Sequence, residues 1–149
     1  MNKVAILVGS VYGAAEELGE YIAGELADNT ITQVFTDAAL ADVLSYAPTV
    51  WVVVTSTTGL GDIPDNLLGL FEEMKTEFPD LSHAKYAVVA MGDSTYVDSY
   101  CGAGKKFDEL LKQLTAKPLQ DRLEIDACET MDPVDYAQGW VKDLAVNID

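Results

Sequence analysis

The stretch from Val50 to Asn66 holds the residue types best suited to chemistry. It reads Val-Trp-Val-Val-Val, then Thr55-Ser56-Thr57-Thr58-Gly59-Leu60-Gly61-Asp62, then Ile63-Pro64-Asp65-Asn66. Four hydroxyl residues and two glycines spaced by one make a loop of donors and accessible backbone, and the proline after them can open a helix. The five apolar residues before the loop read as a strand buried on both faces, since a half-buried strand would alternate. A strand of this kind emptying into such a loop is where an open α/β sheet puts its ligand.

Two other loops have the same character. Gly9-Ser10-Val11-Tyr12-Gly13-Ala14-Ala15 leads from a short apolar run into a helical pattern. Free backbone amides and the helix dipole favour an anion there, and Ser10 and Tyr12 add hydroxyl donors. The loop has no Lys, which separates it from the phosphate loop of nucleotide triphosphatases, and its glycine spacing lacks the dinucleotide fingerprint. By itself it reads as an anion site or as a plain strand-to-helix turn. The third loop is Gly92-Asp93-Ser94-Thr95-Tyr96, with Tyr100 shortly after. Exposed rings there offer a stacking face worth about 1 kcal/mol beyond area burial. The alternative is that the tyrosines only cover the loop. His83 is a lone histidine read as solvated, and spacing assembles no Ser-His-Asp or Cys-His set.

These loops need elements to position them. Lys3 to Val8 reads as the first strand, followed by a helix to about Ala27 with Leu18, Tyr21, Ile22 and Leu26 on one face. Thr32 to Thr36 is a second strand, and Asp37 to Ala47 is weakly helical before Pro48. After Pro64 comes a helix to about Phe78, with Leu67, Leu70, Phe71 and Met74 inward. Tyr86 to Met91 is the fourth strand, Gly104 to Leu114 a helix, and Arg122 to Ile125 the fifth strand. Cys128, just beyond that strand, reads as a small core residue. Asp132, a good cap, and Pro133 open a last helix carrying Tyr136, Trp140, Val141 and Leu144. Strand and helix thus alternate five times. The expected fold is α/β: a doubly wound, five-stranded parallel sheet, order 2-1-3-4-5, with helices on both faces and its switch point between strands one and three. The whole chain, residues 1–149, reads as one such domain.

Composition narrows the classes. Nine basic residues against 25 acidic ones give a formal net charge of −16. Nucleic acid and anionic membranes are therefore poor partners, because phosphate binding by proteins leans on Lys and Arg. A solvated acidic face accounts for the charge, and so does docking to a basic protein surface. Two cysteines, Cys101 and Cys128, are too few and too far apart for a disulfide framework or a zinc site. The first apolar run is too short for a signal peptide, and no run approaches membrane-spanning length, so the expected location is cytoplasmic.

The combination of these loops resembles the short-chain flavodoxin family, and within it the MioC-type proteins. The resemblance covers essentially the whole chain. Its most specific pieces are Ser56 to Asn66, then Gly92 to Tyr96 followed by Tyr100-Cys101-Gly102. The flavodoxin-like domains of sulfite reductase and related diflavin enzymes share both patterns, but a free-standing carrier is the better match. The resemblance implies non-covalent FMN and single-electron transfer between a basic-surfaced flavodoxin reductase and an acceptor redox enzyme, by a monomer. Carried over by position, Ser10, Val11, Tyr12, Gly13, Ala14 and Ala15 hold the FMN phosphate. Ser56, Thr57, Thr58, Gly59, Leu60 and Gly61 line one side of the flavin ring, with the Gly59 peptide near its N5. Gly92, Asp93 and Tyr96 line the other side, Tyr96 stacking on the ring, and Tyr100 and Cys101 lie beside the ribityl chain.

The chain departs from the family pattern at three places. Val11, Ala14 and Ala15 take positions usually held by hydroxyl or amide residues, leaving backbone amides to carry more of the phosphate. Thr58 stands where many relatives place an aromatic residue on the outer flavin face. Val97, Asp98 and Ser99 make three residues where relatives usually have two. Strong negative charge around the site disfavours an anionic reduced flavin and lowers that couple's potential, while Asp62, Asp65, Asp93 and Asp98 steer a basic partner. Two rival readings remain: an FMN-dependent quinone or azo reductase, and an interaction module without cofactor. A phosphoacceptor receiver domain shares the sheet order but needs acidic residues where this chain has Gly9-Ser10 and Thr55-Ser56.

Overall fold

Every residue of the apolar run Val50–Val54 is at most 2% exposed in a computed structural model that describes residues 1–148. Strand β1 spans Asn2–Gly9, β2 Thr30–Phe35, β3 Val50–Thr55 and β4 Lys85–Gly92. β3 pairs in parallel with β1 on one side, Ile6 opposite Val52, and with β4 on the other, Val52 opposite Ala87. β2 flanks β1. The order is therefore the expected one, with the switch point between β1 and β3.

Both faces of the sheet are covered, because alternate residues of each central strand point to opposite sides. Val4, Ile6, Val8, Val50, Val52 and Val54 pack under helices α1 (Ala14–Leu26) and α5 (Pro133–Ile148). Ala5, Leu7, Trp51, Val53 and Val88 pack under α2 (Leu40–Tyr46), α3 (Asp65–Glu77) and α4 (Gly102–Gln113). Leu67, Leu70, Phe71 and Met74 form the inner face of α3 as expected. The Asp132 carboxylate accepts the Asp135 amide at 3.1 Å, so it does cap α5. On α5, Val141 and Leu144 are buried, whereas Tyr136 is 53% exposed and belongs to the outer face. Among the described residues no helix is long and apolar enough to cross a membrane.

The fifth strand differs from expectation in being broken. A two-residue piece, β5 (Lys117–Pro118), pairs with the start of β4, and β6 (Leu123–Asp126) pairs with its end. Pro118 has no amide to donate, which suits it to this outermost position. The residues between bulge outward and are held by α5: the Trp140 indole donates to the Asp121 carbonyl at 2.9 Å, and the Gln120 amide to the Trp140 carbonyl at 3.0 Å. Beneath the bulge the buried Asp108 carboxylate accepts from the Tyr86 hydroxyl (2.7 Å) and from Arg122, tying α4 to this edge. Desolvation and Asp108 together push the Tyr86 hydroxyl far above its ordinary pKa.

Close approach of α4 to the sheet depends on Gly104, where a β-carbon would lie 2.2 Å from that of Ala90. Gly69, inside α3, has open space at the same place. Gly104→Ala is expected to destabilise the protein by about 1–3 kcal/mol through overpacking, and Gly69→Ala to stabilise it by about 0.5–1 kcal/mol through helix propensity. Urea unfolding of the two variants beside the parent checks both signs.

Candidate functional site

Three loops leave the same edge of the sheet, after β1, β3 and β4. The first enters α1 through Gly13, whose φ of +91° suits a residue without a β-carbon. The Gly13 amide donates to the Ser10 hydroxyl oxygen at 2.8 Å, and the Ser10 amide to the side-chain oxygen of Asn66 at 3.0 Å. Those two amides are spent. The amides of Val11 and Tyr12 donate to no acceptor among the described residues, and those of Ala14 and Ala15 open the helix, before any helical carbonyl that could accept them. Val11 and Tyr12 are exposed, at 51% and 97%, while Ala15 is buried. The concave end of this loop is thus built of backbone, with Glu16 and Glu17 in the first turn behind it.

The loop after β3 is tied down at both ends. Ser56 donates its amide to the Gly9 carbonyl at 2.9 Å, joining this loop to the first. The Thr57 hydroxyl donates to the Met91 carbonyl (2.9 Å) and accepts from the Ala103 amide (3.3 Å), joining it to β4 and α4. Thr58 and Asp62 exchange two backbone hydrogen bonds of 2.9 and 2.7 Å across a tight turn that leaves Gly59 and Gly61 at positive φ. Gly61 abuts Gly102 so closely that a β-carbon on Gly102 would meet the Gly61 α-carbon at 2.8 Å. Leu60, at the tip, is 91% exposed.

The loop after β4 is held by carboxylates. Asp93 accepts the Thr95 amide at 2.8 Å, and Asp126, at the end of β6, accepts the amides of Ser94 and Cys128 at 3.1 and 2.9 Å. Cys128 is exposed, not part of the core: its thiol donates to Asp93 at 2.8 Å and lies 2.9 Å from the Thr95 hydroxyl. The chain turns away from the sheet after Asp126, so strand register no longer governs the residue. Hydrogen bonds from Cys128 and then Thr95 hold the Asp93 carboxyl below its ordinary range, and Ser94 does the same for Asp126.

Between the second and third loops lies a slot of about 440 Å³, lined by Thr57, Gly59, Leu60, Asp93, Tyr96 and Ser99. A larger cleft of about 630 Å³ runs between α3 and α4 and meets the site only through Thr58 and Asp62. Thr58 therefore borders the cleft rather than the slot, and its hydroxyl donates back to the Asp62 carbonyl at 3.2 Å. Tyr96, 64% exposed, presents its ring to the slot. Tyr100 is half-buried with the Lys105 ammonium 5.4 Å from its ring centre. Cys101 is fully buried beneath the loop, its thiol donating to the Ala90 carbonyl at 3.2 Å, and burial raises its pKa. Gly92 supports it, since a β-carbon there would lie 2.5 Å from the Cys101 nitrogen.

The model of the flavodoxin family matches residues 6–140. Flavodoxin YqcA of Escherichia coli is 38% identical over 143 residues, 95% of each chain, and the protein MioC of the same organism 33% identical over 141 residues, again 95% of each. The solved structure of a cysteine-to-serine mutant of the flavodoxin from Pseudomonas aeruginosa superposes with a TM-score of 0.92 at 36% identity, over 97% of each chain. The chain belongs to the flavodoxin family.

In this flavodoxin the residues expected to line a ring divide into two sets. Thr57, Gly59, Leu60, Asp93 and Tyr96 come together around the slot, while Ser56, Gly61, Gly92 and Cys101 build the walls behind it. Two residues outside the expected set contribute. Ser99 lines the slot, and Asn66 anchors the first loop from α3. Ser99 is one of many loop hydroxyls, and although Asn66 closes the Ser56–Asn66 motif, its role is not local, because its partners lie 30 to 58 positions away.

The pKa directions of Asp93 and Asp126 fix a pH dependence. A carboxyl whose folded pKa is depressed contributes stability that is complete above its unfolded pKa of about 3.9 and is lost as pH falls through the folded value. The protein is expected to lose stability below about pH 4, and Asp93→Asn to lose less over that interval than the parent. Urea unfolding between pH 6 and pH 3 measures it; parallel curves for the two proteins would remove Asp93 from the account.

Proposed function

We propose that this flavodoxin binds FMN non-covalently and carries single electrons between a reductase and an acceptor enzyme. The observation that carries the reading is the pairing, on neighbouring strand ends, of a helix N-terminus rich in free amides with a slot flanked by Gly59 and Tyr96. The residues fit the two ends of such a molecule. The Ser10 hydroxyl and the amides of Val11, Tyr12, Ala14 and Ala15 would hold the phosphate. Thr57, Gly59 and Leu60 would flank one side of the ring, and Asp93 and Tyr96 the other, with Tyr100 and Cys101 supporting the wall. Bound FMN supplies the redox chemistry.

The chain's own contribution is then binding, orientation and electrostatics. Asp62, Asp65 and Asp98 are exposed around the loops, and the ion pair of Asp62 with Lys106 is long at 3.9 Å and solvated. They remain free to steer a basic partner surface in the cytoplasm. The Thr58 side, without an aromatic cover, is where that partner would approach.

Titration of the purified protein with FMN, read by quenching of flavin fluorescence and by visible absorbance, tests the reading. Stoichiometric uptake is expected, with Tyr96→Ala weakening it at least about fivefold through lost stacking. Absence of uptake would sink the proposal. Steady NAD(P)H oxidation by the isolated holoprotein, with no separate reductase, would mark an enzyme instead of a carrier.

A further inference from the structure

We infer that Asn66 is the positioning residue of the phosphate loop and sets the preference for the phosphorylated flavin; this rests on the FMN reading above. The side chain sits in the first turn of α3 and reaches three other segments. Its oxygen accepts the Ser10 amide at 3.0 Å. Its nitrogen donates to the Val8 carbonyl, in β1, at 2.8 Å and to the Thr36 carbonyl, just after β2, at 2.5 Å. Both donors and the acceptor of the amide are therefore used, and the residue is only half-buried.

The consequence lies in which way the loop faces. The Ser10 amide is turned inward onto Asn66, and the Gly13 amide is closed onto Ser10. That pair of bonds leaves the amides of Val11 and Tyr12, and the first amides of α1, without a protein acceptor among the described residues and so available to an anion. With Val11, Ala14 and Ala15 in the loop, few side chains could correct a misplaced backbone. No Lys or Arg lies in the loop either, so binding relies on amide direction rather than on charge.

The same clamp also closes the strand ends, since β2 stops pairing at Phe35 opposite Leu7 and Asn66 then donates to the Val8 and Thr36 carbonyls just beyond. Up to that point β1 and β2 pair through their own backbone, from Asn2 with Thr30 to Leu7 with Phe35, and Val4 to Val8 are fully buried. For the phosphate loop, what Asn66 adds is the link from Ser10 to the start of α3. Because the ring loop runs straight into α3 through Pro64, the same link fixes the phosphate end relative to the ring end.

The test is the affinity ratio of FMN to riboflavin, which carries the ring and no phosphate. The parent protein is measured first with both flavins. Asn66→Ala is expected to weaken FMN at least about tenfold, the size of a lost array of hydrogen bonds to a charged group, and to leave riboflavin within about twofold. Equal losses for both flavins, or none for FMN, would overturn the inference. A parent that binds neither flavin refutes the underlying FMN reading instead, before any variant is made. A second measurement needs no variant and so stands even where Asn66→Ala misfolds. In amide hydrogen exchange of the parent apoprotein, Ser10 is expected to be protected while Val11 and Tyr12 exchange freely. FMN, but not riboflavin, then protects the latter two. A Ser10 amide that exchanges as fast as Val11 would overturn the inference as well.

Discussion

The burial of β3 on both faces is the constraint from which the rest follows. A strand with no solvent on either face must satisfy its backbone through neighbours on both edges, so β1 and β4 lie alongside it in register. Its side chains must also be covered from above and below, so helices are required on both faces. Parallel strands joined by helices then bring every strand-to-helix loop to one edge. Since α1 goes to one face and α3 to the other, the loops after β1 and β3 part where the sheet changes direction. The crevice is a product of the connectivity, and the ligand chemistry is added by the residues that edge it.

Charge sets a second condition on that crevice. A net charge of −16 works against any anionic ligand, and Glu16 and Glu17 already complement the dipole of α1. A phosphate held here must be held by several amides at short range, because hydrogen bonds to a charged oxygen act within about 3 Å while the opposing field of exposed carboxylates is screened over about 8–10 Å of salt solution. Short-range geometry can prevail over long-range repulsion only where the backbone is fixed. This makes loop rigidity a requirement of the site.

Much of this was legible in the sequence because it is carried by local patterns. The run Val50–Val54, the spacing of Leu67, Leu70, Phe71 and Met74, and the pair Asp132-Pro133 each declare their role within a few positions. The failures have a common cause. β5 is two residues long and contains Pro118, too short to show a period. The place of Cys128 after a strand reads as core, but its amide donates to the Asp126 carboxylate in a turn that leaves the residue exposed. Thr58 lies on a loop whose tight turn, not its sequence position, decides that it borders the α3–α4 cleft. Asn66 closes the hydroxyl- and glycine-rich stretch after β3, yet its partners are fixed only by the tertiary fold.

The two ends of the site are made rigid by different means. Around the slot the walls are locked by close backbone contact: Gly61 against Gly102, Gly92 against Cys101, and Gly104 against Ala90. Such contacts leave no room for even one added carbon, and they hold Cys101 at a positive φ that a residue with a β-carbon rarely adopts. In the loop after β1 there is no comparable packing. Gly13 has open space around it, and Val11 and Tyr12 project into solvent. Order there comes from the hydrogen bonds of Asn66 and Ser10. Packing is indifferent to what the ligand carries and defines a shape, whereas hydrogen bonds direct individual amides and define a charge. On the FMN reading proposed above, a ring would call for the first and a phosphate for the second.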